Sequence, residues 1–160
     1  MLVGIVSDTH GHVEHARAAV RMLQSLEVAC VLHCGDIGSA AVVELFAPWP
    51  AHFVFGNCDH DRQELAAAIA AAGQTCHGAF GELELAGRRI AIIHSDDGRR
   101  FQQTLHSGHY DLVCYGHTHV AAIDRYGPTL AINPGALYRA NPHSLAVVDL
   151  VAMEPTLVQL

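Results

Sequence analysis

The sequence has few basic residues, and this shortage argues against a common class of partner. Only 9 of the 160 residues are Lys or Arg, whereas 16 are Asp or Glu, so the formal net charge is -7. Proteins that bind the nucleic-acid backbone normally present a basic face. We therefore expect no nucleic-acid partner.

Long apolar runs and paired cysteines are also missing. Met1 leads into a short apolar segment without a basic n-region, and Asp8 ends that segment too early for a signal peptide or a membrane span. The five cysteines, at positions 30, 34, 58, 76 and 114, are odd in number and show no C-x-x-C spacing. Free thiols in a reducing compartment fit this pattern better than disulfides or a zinc knuckle. We expect a cytoplasmic protein with no membrane partner.

No linker, internal repeat or low-complexity tract divides the chain. With 160 residues and 51% hydrophobic content, the chain can build one core but hardly two. We therefore expect a single domain over residues 1–160. Exposed apolar edges in so short a chain make a homodimer a further expectation, although no residue demonstrates it.

The first half of the chain alternates short apolar strands with helices. The pattern predicts strands over residues 2–6, 30–33 and 53–55, and helices that begin near residue 12 and span residues 40–47 and 63–72. Ser39 is a predicted N-cap, and Gly73 is a predicted C-terminal cap. Such alternation is typical of a parallel sheet with right-handed crossovers.

The second half has a different pattern. It predicts a hairpin of residues 82–86 and 89–93, a helix over 98–106, and strands over 112–115, 120–124, 129–132, 145–151 and 156–160. Glycine and proline separate the later strands, as at Glu154-Pro155. The whole pattern predicts an α/β fold with two mixed sheets packed face to face and helices outside.

Polar residues follow five of the predicted strands, in short turns. The carboxyl ends of neighbouring parallel strands open into one crevice, so these side chains should meet there. They are Asp8, His10, Asp36, Asn57, His94, His117 and His119. Mixed oxygen and imidazole ligands suit Mn, Fe, Zn, Co or Ni better than Ca or Mg alone. Seven groups exceed the need of one ion and suit two ions that share Asp36.

These residues form motifs that resemble a known family. Asp8-x-His10, Gly35-Asp36, Gly56-Asn57, His94 and Gly116-His117-x-His119, in this order over almost the whole chain, resemble the calcineurin-like metallophosphoesterase superfamily. The short length and the Asn133-Pro134-Gly135 segment are similar to its small bacterial and archaeal phosphodiesterase branch. The resemblance implies a four-layer αββα sandwich. It also implies one metal on Asp8, His10, Asp36 and His119, and a second on Asp36, Asn57, His94 and His117.

Two divalent ions can activate a bridging hydroxide for attack on phosphorus. Manganese is the first expectation for these ions, and Fe, Zn, Ni and Co are the alternatives. We therefore expect a dinuclear-metal-dependent phosphodiesterase. Because 160 residues leave no room for a cap domain, the substrate should be a small or exposed phosphoester. The alternative functions are a phosphomonoesterase acting on phosphoproteins or nucleotides, a nuclease, and a non-catalytic scaffold similar to a retromer subunit.

The group that protonates the leaving oxygen stays open. Cys58 stands where many members of the superfamily have histidine, and a thiol with a pKa of about 8.5 is a poor proton donor. Asn57 and Cys58 are the expected phosphate-binding residues, whereas Cys58, Asp59 and His60 are the candidate proton donors. For Asp59 and His60, simple solvation of the loop is the favoured alternative. A further departure is Ser95, where the family commonly has glycine after the metal histidine.

Overall fold

The computed structural model describes residues 1–160 and contains eleven strands and four helices. The strands are β1 (Leu2–Val6), β2 (Cys30–His33), β3 (Ala51–Phe53), β4 (Thr75–Cys76), β5 (Phe80–Leu85), β6 (Arg88–Ile93), β7 (Leu112–Tyr115), β8 (Ala122–Tyr126), β9 (Thr129–Asn133), β10 (Ser144–Asp149) and β11 (Glu154–Gln159). The helices are α1 (Val13–Ser25), α2 (Ala40–Leu45), α3 (Arg62–Ala71) and α4 (Gly98–His106).

The strands form two mixed sheets. The first has the order β11-β10-β1-β2-β3-β4, in which β1 to β4 run parallel and β10 pairs antiparallel with β1. The second has the order β5-β6-β7-β9-β8, in which β6, β7 and β9 run parallel. The predicted fold class is therefore confirmed, and parallel strands lie at the centre of both sheets.

Alternate residues of the central strands enter different cores, which gives the four layers. On β6, Ile90 and Ile92 pack between the two sheets, whereas Ala91 and Ile93 pack under α4. On β1, Val6 faces the core that α1, α2 and α3 cover. Burial on both faces explains why residues 90–93 of β6 and residues 2–6 of β1 are continuous apolar runs rather than alternating with polar residues.

The helices end and begin much as predicted. Gly73 takes a left-handed backbone with φ +71° just after α3, as a helix-terminating glycine does. Ser39 does precede α2, but its side chain makes no capping hydrogen bond. None of the four helices is long and apolar enough to cross a membrane.

Some strand boundaries differ from the prediction. β3 spans Ala51–Phe53, two residues earlier than expected, and the two-residue β4 was not predicted. β8 begins at Ala122 rather than at residue 120, because the turn after β7 extends further. β11 contains Pro155, whereas the sequence predicts that this residue separates two strands. β11 lies at a sheet edge and bonds only to β10, which is where a strand tolerates proline.

Candidate active site

The predicted site residues all lie at one end of the two sheets. They follow β1, β2 and β3 of the first sheet and β6 and β7 of the second, and the parallel direction of these strands brings their carboxyl ends together. The structure thus gathers residues that are far apart in the chain, such as His10 and His119, which are 109 positions apart. This arrangement follows the strand-end rule from which the site was predicted.

Three side chains form a close group on one side of the cleft. The Nε2 atom of His119 lies 3.1 Å from Oδ1 of Asp8 and 3.2 Å from Nε2 of His10. The ligand atoms of these three residues lie within 4.8 Å of one another. His10 also connects this group to Asp36, because its Nε2 is 3.6 Å from Oδ2 of that carboxylate.

A second group surrounds the other side of Asp36. The Nε2 atom of His94 lies 3.3 Å from Oδ2 of Asp36 and 3.1 Å from Oδ1 of Asn57. His117 is exposed, and its ring centroid lies 5.1 Å from that of His94. Asp36 therefore stands between the two groups, where a bridging carboxylate would have to be.

Two of the imidazoles are held in the orientation that ligation needs. The Nδ1 atom of His94 lies 2.8 Å from the carbonyl oxygen of Cys34, and Nδ1 of His119 lies 3.3 Å from that of Arg139. Because carbonyl oxygens only accept, each Nδ1 carries the proton. Each Nε2 then presents a lone pair to the cleft, as in metal sites whose histidines are fixed by backbone carbonyls.

The backbone at the site is unusual. Five of the seven predicted ligands have positive φ angles, namely Asp8 (55°), His10 (46°), Asp36 (52°), His117 (76°) and His119 (58°). Such conformations are uncommon for residues with a β-carbon and concentrate where function requires a particular side-chain direction. Gly56 is needed for a related reason, since a β-carbon there would overlap the carboxylate of Asp36.

The charges of the site call for cations. Asp8 and Asp36 are 0% and 3% exposed, and Oδ1 of Asp8 is buried without a hydrogen-bond partner. Burial raises the pKa of Asp36, but the neighbouring His94 imidazole and the hydrogen bond from the Cys58 amide lower it by more, so the pKa lies below its usual value and the group is ionised. A buried carboxylate oxygen with no partner is costly unless a cation meets it. These residues therefore fit divalent metal ions.

The three candidate proton donors have different surroundings. Asp59 is 2% exposed, and its oxygens accept hydrogen bonds from the backbone amides of Gly38 and Gly56, each at 2.9 Å. The interpretation that Asp59 is solvated in the loop is therefore wrong, and both oxygens are already occupied. Cys58 and His60 are exposed and line a cavity of about 230 Å³ beside the cleft. Burial and the Asp36 carboxylate raise the pKa of the Cys58 thiol, so it is protonated at neutral pH.

Ser95 has a role that the sequence did not reveal. It adopts the left-handed backbone expected of the glycine it replaces, with φ 79°. Its hydroxyl donates to the carbonyl oxygen of Gly116 at 3.0 Å, and the Asn133 amide donates to the same oxygen at 3.3 Å. Ser95 and Asn133 thus hold the turn that carries His117 and His119.

The site combines carboxylates, an amide and imidazoles at the strand ends of an αββα sandwich. Such groups can hold metal ions that activate water, so the fold and the site define a metal-binding hydrolase. Residues 1–153 match the calcineurin-like phosphoesterase superfamily domain. The chain is 32% identical to the phosphodiesterase MJ0936 of Methanocaldococcus jannaschii over 138 aligned residues. The alignment covers 84% of this chain and 83% of that protein. The chain belongs to the calcineurin-like phosphoesterase superfamily, and so to a family of hydrolases.

Solved structures agree with this family. The structure of an archaeal phosphodiesterase superimposes with a TM-score of 0.93 and 28% identity, over 100% of both chains. Vps29 of Entamoeba histolytica superimposes with a TM-score of 0.68 and 15% identity, over 100% of this chain and 99% of that one. The second likeness shows a shared fold alone.

Proposed function

We propose that the protein hydrolyses phosphodiesters at a dinuclear metal centre. One ion would be held by Asp8, His10, Asp36 and His119, and the other by Asp36, Asn57, His94 and His117. The observation that carries this proposal is the buried, unpartnered Oδ1 of Asp8, which lies among imidazole nitrogens that point into the cleft. The identity with an archaeal phosphodiesterase supports diesters as the substrate class.

The side chains of the cleft have separate tasks in this reaction. When bound, two divalent ions supply a nucleophile at neutral pH by lowering the pKa of water, and they neutralise phosphoryl charge. Asp36 stays anionic between the two groups of ligands. The Asn57 amide presents Oδ1 to His94, and its Nδ2 donates one of its two hydrogens to the weakly accepting Cys58 sulfur at 3.4 Å. Nδ2 is therefore available to donate to a phosphoryl oxygen as charge builds there.

Protonation of the leaving group is the weaker part of this site. Asp59 already accepts two backbone hydrogen bonds, so Cys58 and His60 remain as donors. A neutral thiol is a poor acid, and nothing in the structure holds His60 over the cleft. We therefore infer a preference for substrates with good leaving groups, such as aryl esters.

We also propose manganese as the physiological metal, since carboxylate, amide and imidazole ligands suit it and its neighbours in the first transition row. Five free cysteines support a reducing, cytoplasmic location, and the net charge of -7 is unfavourable for nucleic-acid binding. One domain over residues 1–160 remains our proposal. Exposed apolar side chains on β8 and β11, such as Ile123 and Leu157, support a homodimer, which sedimentation would test.

The test of the proposed function is a hydrolysis panel. Aryl monoesters, aryl diesters and cyclic nucleotides are incubated with the chelated protein after addition of Mn, Ni, Zn or Mg. We expect aryl diester turnover that requires Mn or Ni. Faster turnover of monoesters would favour a phosphomonoesterase instead.

A binding scaffold is the second candidate, because the fold is shared with Vps29. The seven predicted ligand positions argue against it, since a scaffold has no need for buried carboxylates beside oriented imidazoles. The absence of turnover of every ester with every ion would support the scaffold.

A further inference from the structure

A short loop after β9 is fixed directly to the candidate metal ligands. The backbone amides of Leu137 and Tyr138 donate to the carbonyl oxygens of Ser7 and Asp8, each at 3.1 Å, and the carbonyl of Arg139 accepts from His119. The loop is therefore held to the strand end that carries Asp8 and to the second histidine of the turn after β7. The backbone at 138 and 139 therefore has a fixed position beside the site, from which both side chains extend.

Tyr138 forms a flat aromatic surface next to the cleft. Its ring is stacked on that of His12, with centroids 4.9 Å apart and planes inclined by 16°. The same ring lies 6.1 Å from that of His10. A planar group attached to a phosphate in the cleft would meet this surface, and aromatic rings stack favourably at such separations.

Arg139 provides an unpaired positive charge at the same place. It is exposed, its guanidinium lies 5.4 Å from the centroid of the Tyr138 ring, and it forms no salt bridge. Because the Tyr138 ring lies only 6.1 Å from the ring of His10, the guanidinium beside it is within reach of a phosphate bound in the cleft.

Arg62, another basic side chain beside the site, is less free than Arg139. The chain has nine arginines and no lysine. Arg62 lies beside the Gly56-Asn57 turn, but its guanidinium donates to the carbonyl oxygens of Asp59 and Gly56, each at 3.2 Å. Arg139, unlike Arg62, is therefore free to bind a phosphate oxygen of a substrate.

We propose that Tyr138 and Arg139 select the substrate by its non-leaving ester group: the guanidinium binds a non-bridging phosphoryl oxygen, and Tyr138, stacked on His12, contacts a planar aromatic substituent. This inference rests on the proposed phosphodiesterase function and narrows its substrates to diesters with an aryl or heteroaryl group. It assigns a role to residues that lie outside every motif of the sequence.

Phenylphosphonate and methylphosphonate test the proposal without hydrolysis, because their carbon–phosphorus bonds stay intact. Their binding to the manganese-loaded protein is measured by isothermal titration calorimetry. We expect the phenyl compound to bind about tenfold more tightly than the methyl compound. Tyr138→Leu keeps the bulk but should bring this ratio close to one, whereas Tyr138→Phe should retain it.

Arg139→Gln should weaken both phosphonates by about tenfold while the ratio between them stays as in the parent, because a charge-assisted hydrogen bond is lost in both complexes. The matched control is Arg125→Gln, which removes an exposed guanidinium on the edge strand β8, opposite Leu130 near the start of β9 and so at the other end of the sheet from the site. It should alter neither affinity. An unchanged ratio in Tyr138→Leu, unchanged affinities in Arg139→Gln, or no binding of either phosphonate by the parent would overturn the proposal.

Hydrolysis of bis(4-nitrophenyl) phosphate separates this proposal from the proposed function. If the parent hydrolyses the diester but the phosphonate affinities do not respond to the variants, the proposed selection by Tyr138 and Arg139 is wrong, whereas the proposed phosphodiesterase function is supported. If the phosphonates bind as expected but no diester is hydrolysed with any ion, the proposed reaction is wrong. Matching losses of kcat/KM in Arg139→Gln support both.

Discussion

His33 at the end of β2 is a fully buried histidine close to the site. Its Nδ1 accepts from the Gly35 amide at 3.3 Å, so the proton is on Nε2, which donates to the Thr9 hydroxyl at 3.0 Å. That hydroxyl in turn donates to the carbonyl oxygen of Ile37 at 2.9 Å. The ring is also stacked on Phe53, with centroids 5.4 Å apart. The imidazole is therefore neutral and fully satisfied, and it connects the turns after β1 and β2.

This environment makes the stability of the protein depend on pH. Burial, and then the charge of His94, lower the pKa of His33 from 6.5 to about 3. As the pH falls below 6.5, the unfolded chain binds a proton that the folded chain does not, so the free energy of unfolding decreases until the folded pKa is reached. Between pH 7.5 and pH 5, this single group should lower the free energy of unfolding by about 2 kcal/mol.

Urea denaturation at pH 7.5 and pH 5.0, in the presence of EDTA, measures the effect in the parent and in His33→Asn. Asparagine cannot titrate but can still accept from Gly35, so the variant should fold, at a cost of about 1 to 3 kcal/mol at pH 7.5. The other histidines are common to both proteins and cancel. The parent should lose about 2 kcal/mol more than the variant over this pH interval. Equal losses would refute the assignment of a buried, neutral His33.

Substitutions at three further positions test the roles of residues around the site. Asp59→Ala should lower the free energy of unfolding by about 2 kcal/mol or more, because two backbone amides lose their acceptor; urea denaturation measures this, and the exposed Asp96→Ala is the control. Ser95→Gly should be about 1 kcal/mol more stable than Ser95→Ala, since only alanine is strained at φ 79°; equal stabilities would contradict this. Cys58→His should raise alkyl diester turnover at least about tenfold and aryl turnover little, by supplying a better acid; steady-state kinetics on both esters would reveal equal gains if the reasoning fails.

Much of the site was predictable because two simple rules apply to it. Strands buried on both faces are apolar throughout, so β1, β2, β6 and β7 stand out in the sequence. Polar residues just after such strands must meet if the strands are parallel. Asp8 and His119 could therefore be placed together although they are 111 positions apart in the chain.

The supporting structure was harder to predict, because it depends on the backbone. The carbonyl of Arg139 orients His119, yet every residue has a carbonyl, so the sequence contains no sign of it. The left-handed conformation of Ser95 is equally invisible in its side chain. Asp59 could have faced solvent or the interior, and only the positions of Gly38 and Gly56 decide this. Pro155 similarly predicts a break in the strand, and only the edge position of β11 explains why the strand continues through it.

The most direct test of the account is the metal content of the folded protein after equilibrium dialysis against manganese. We predict about two ions per chain in the parent, as a dinuclear centre requires. Asp36→Asn should weaken the binding of both ions, because this carboxylate lies between the two groups of ligands. His119→Ala should weaken the binding of one ion. A folded parent that binds no manganese, or that binds the same amount when Asp36 is replaced, would contradict the dinuclear centre.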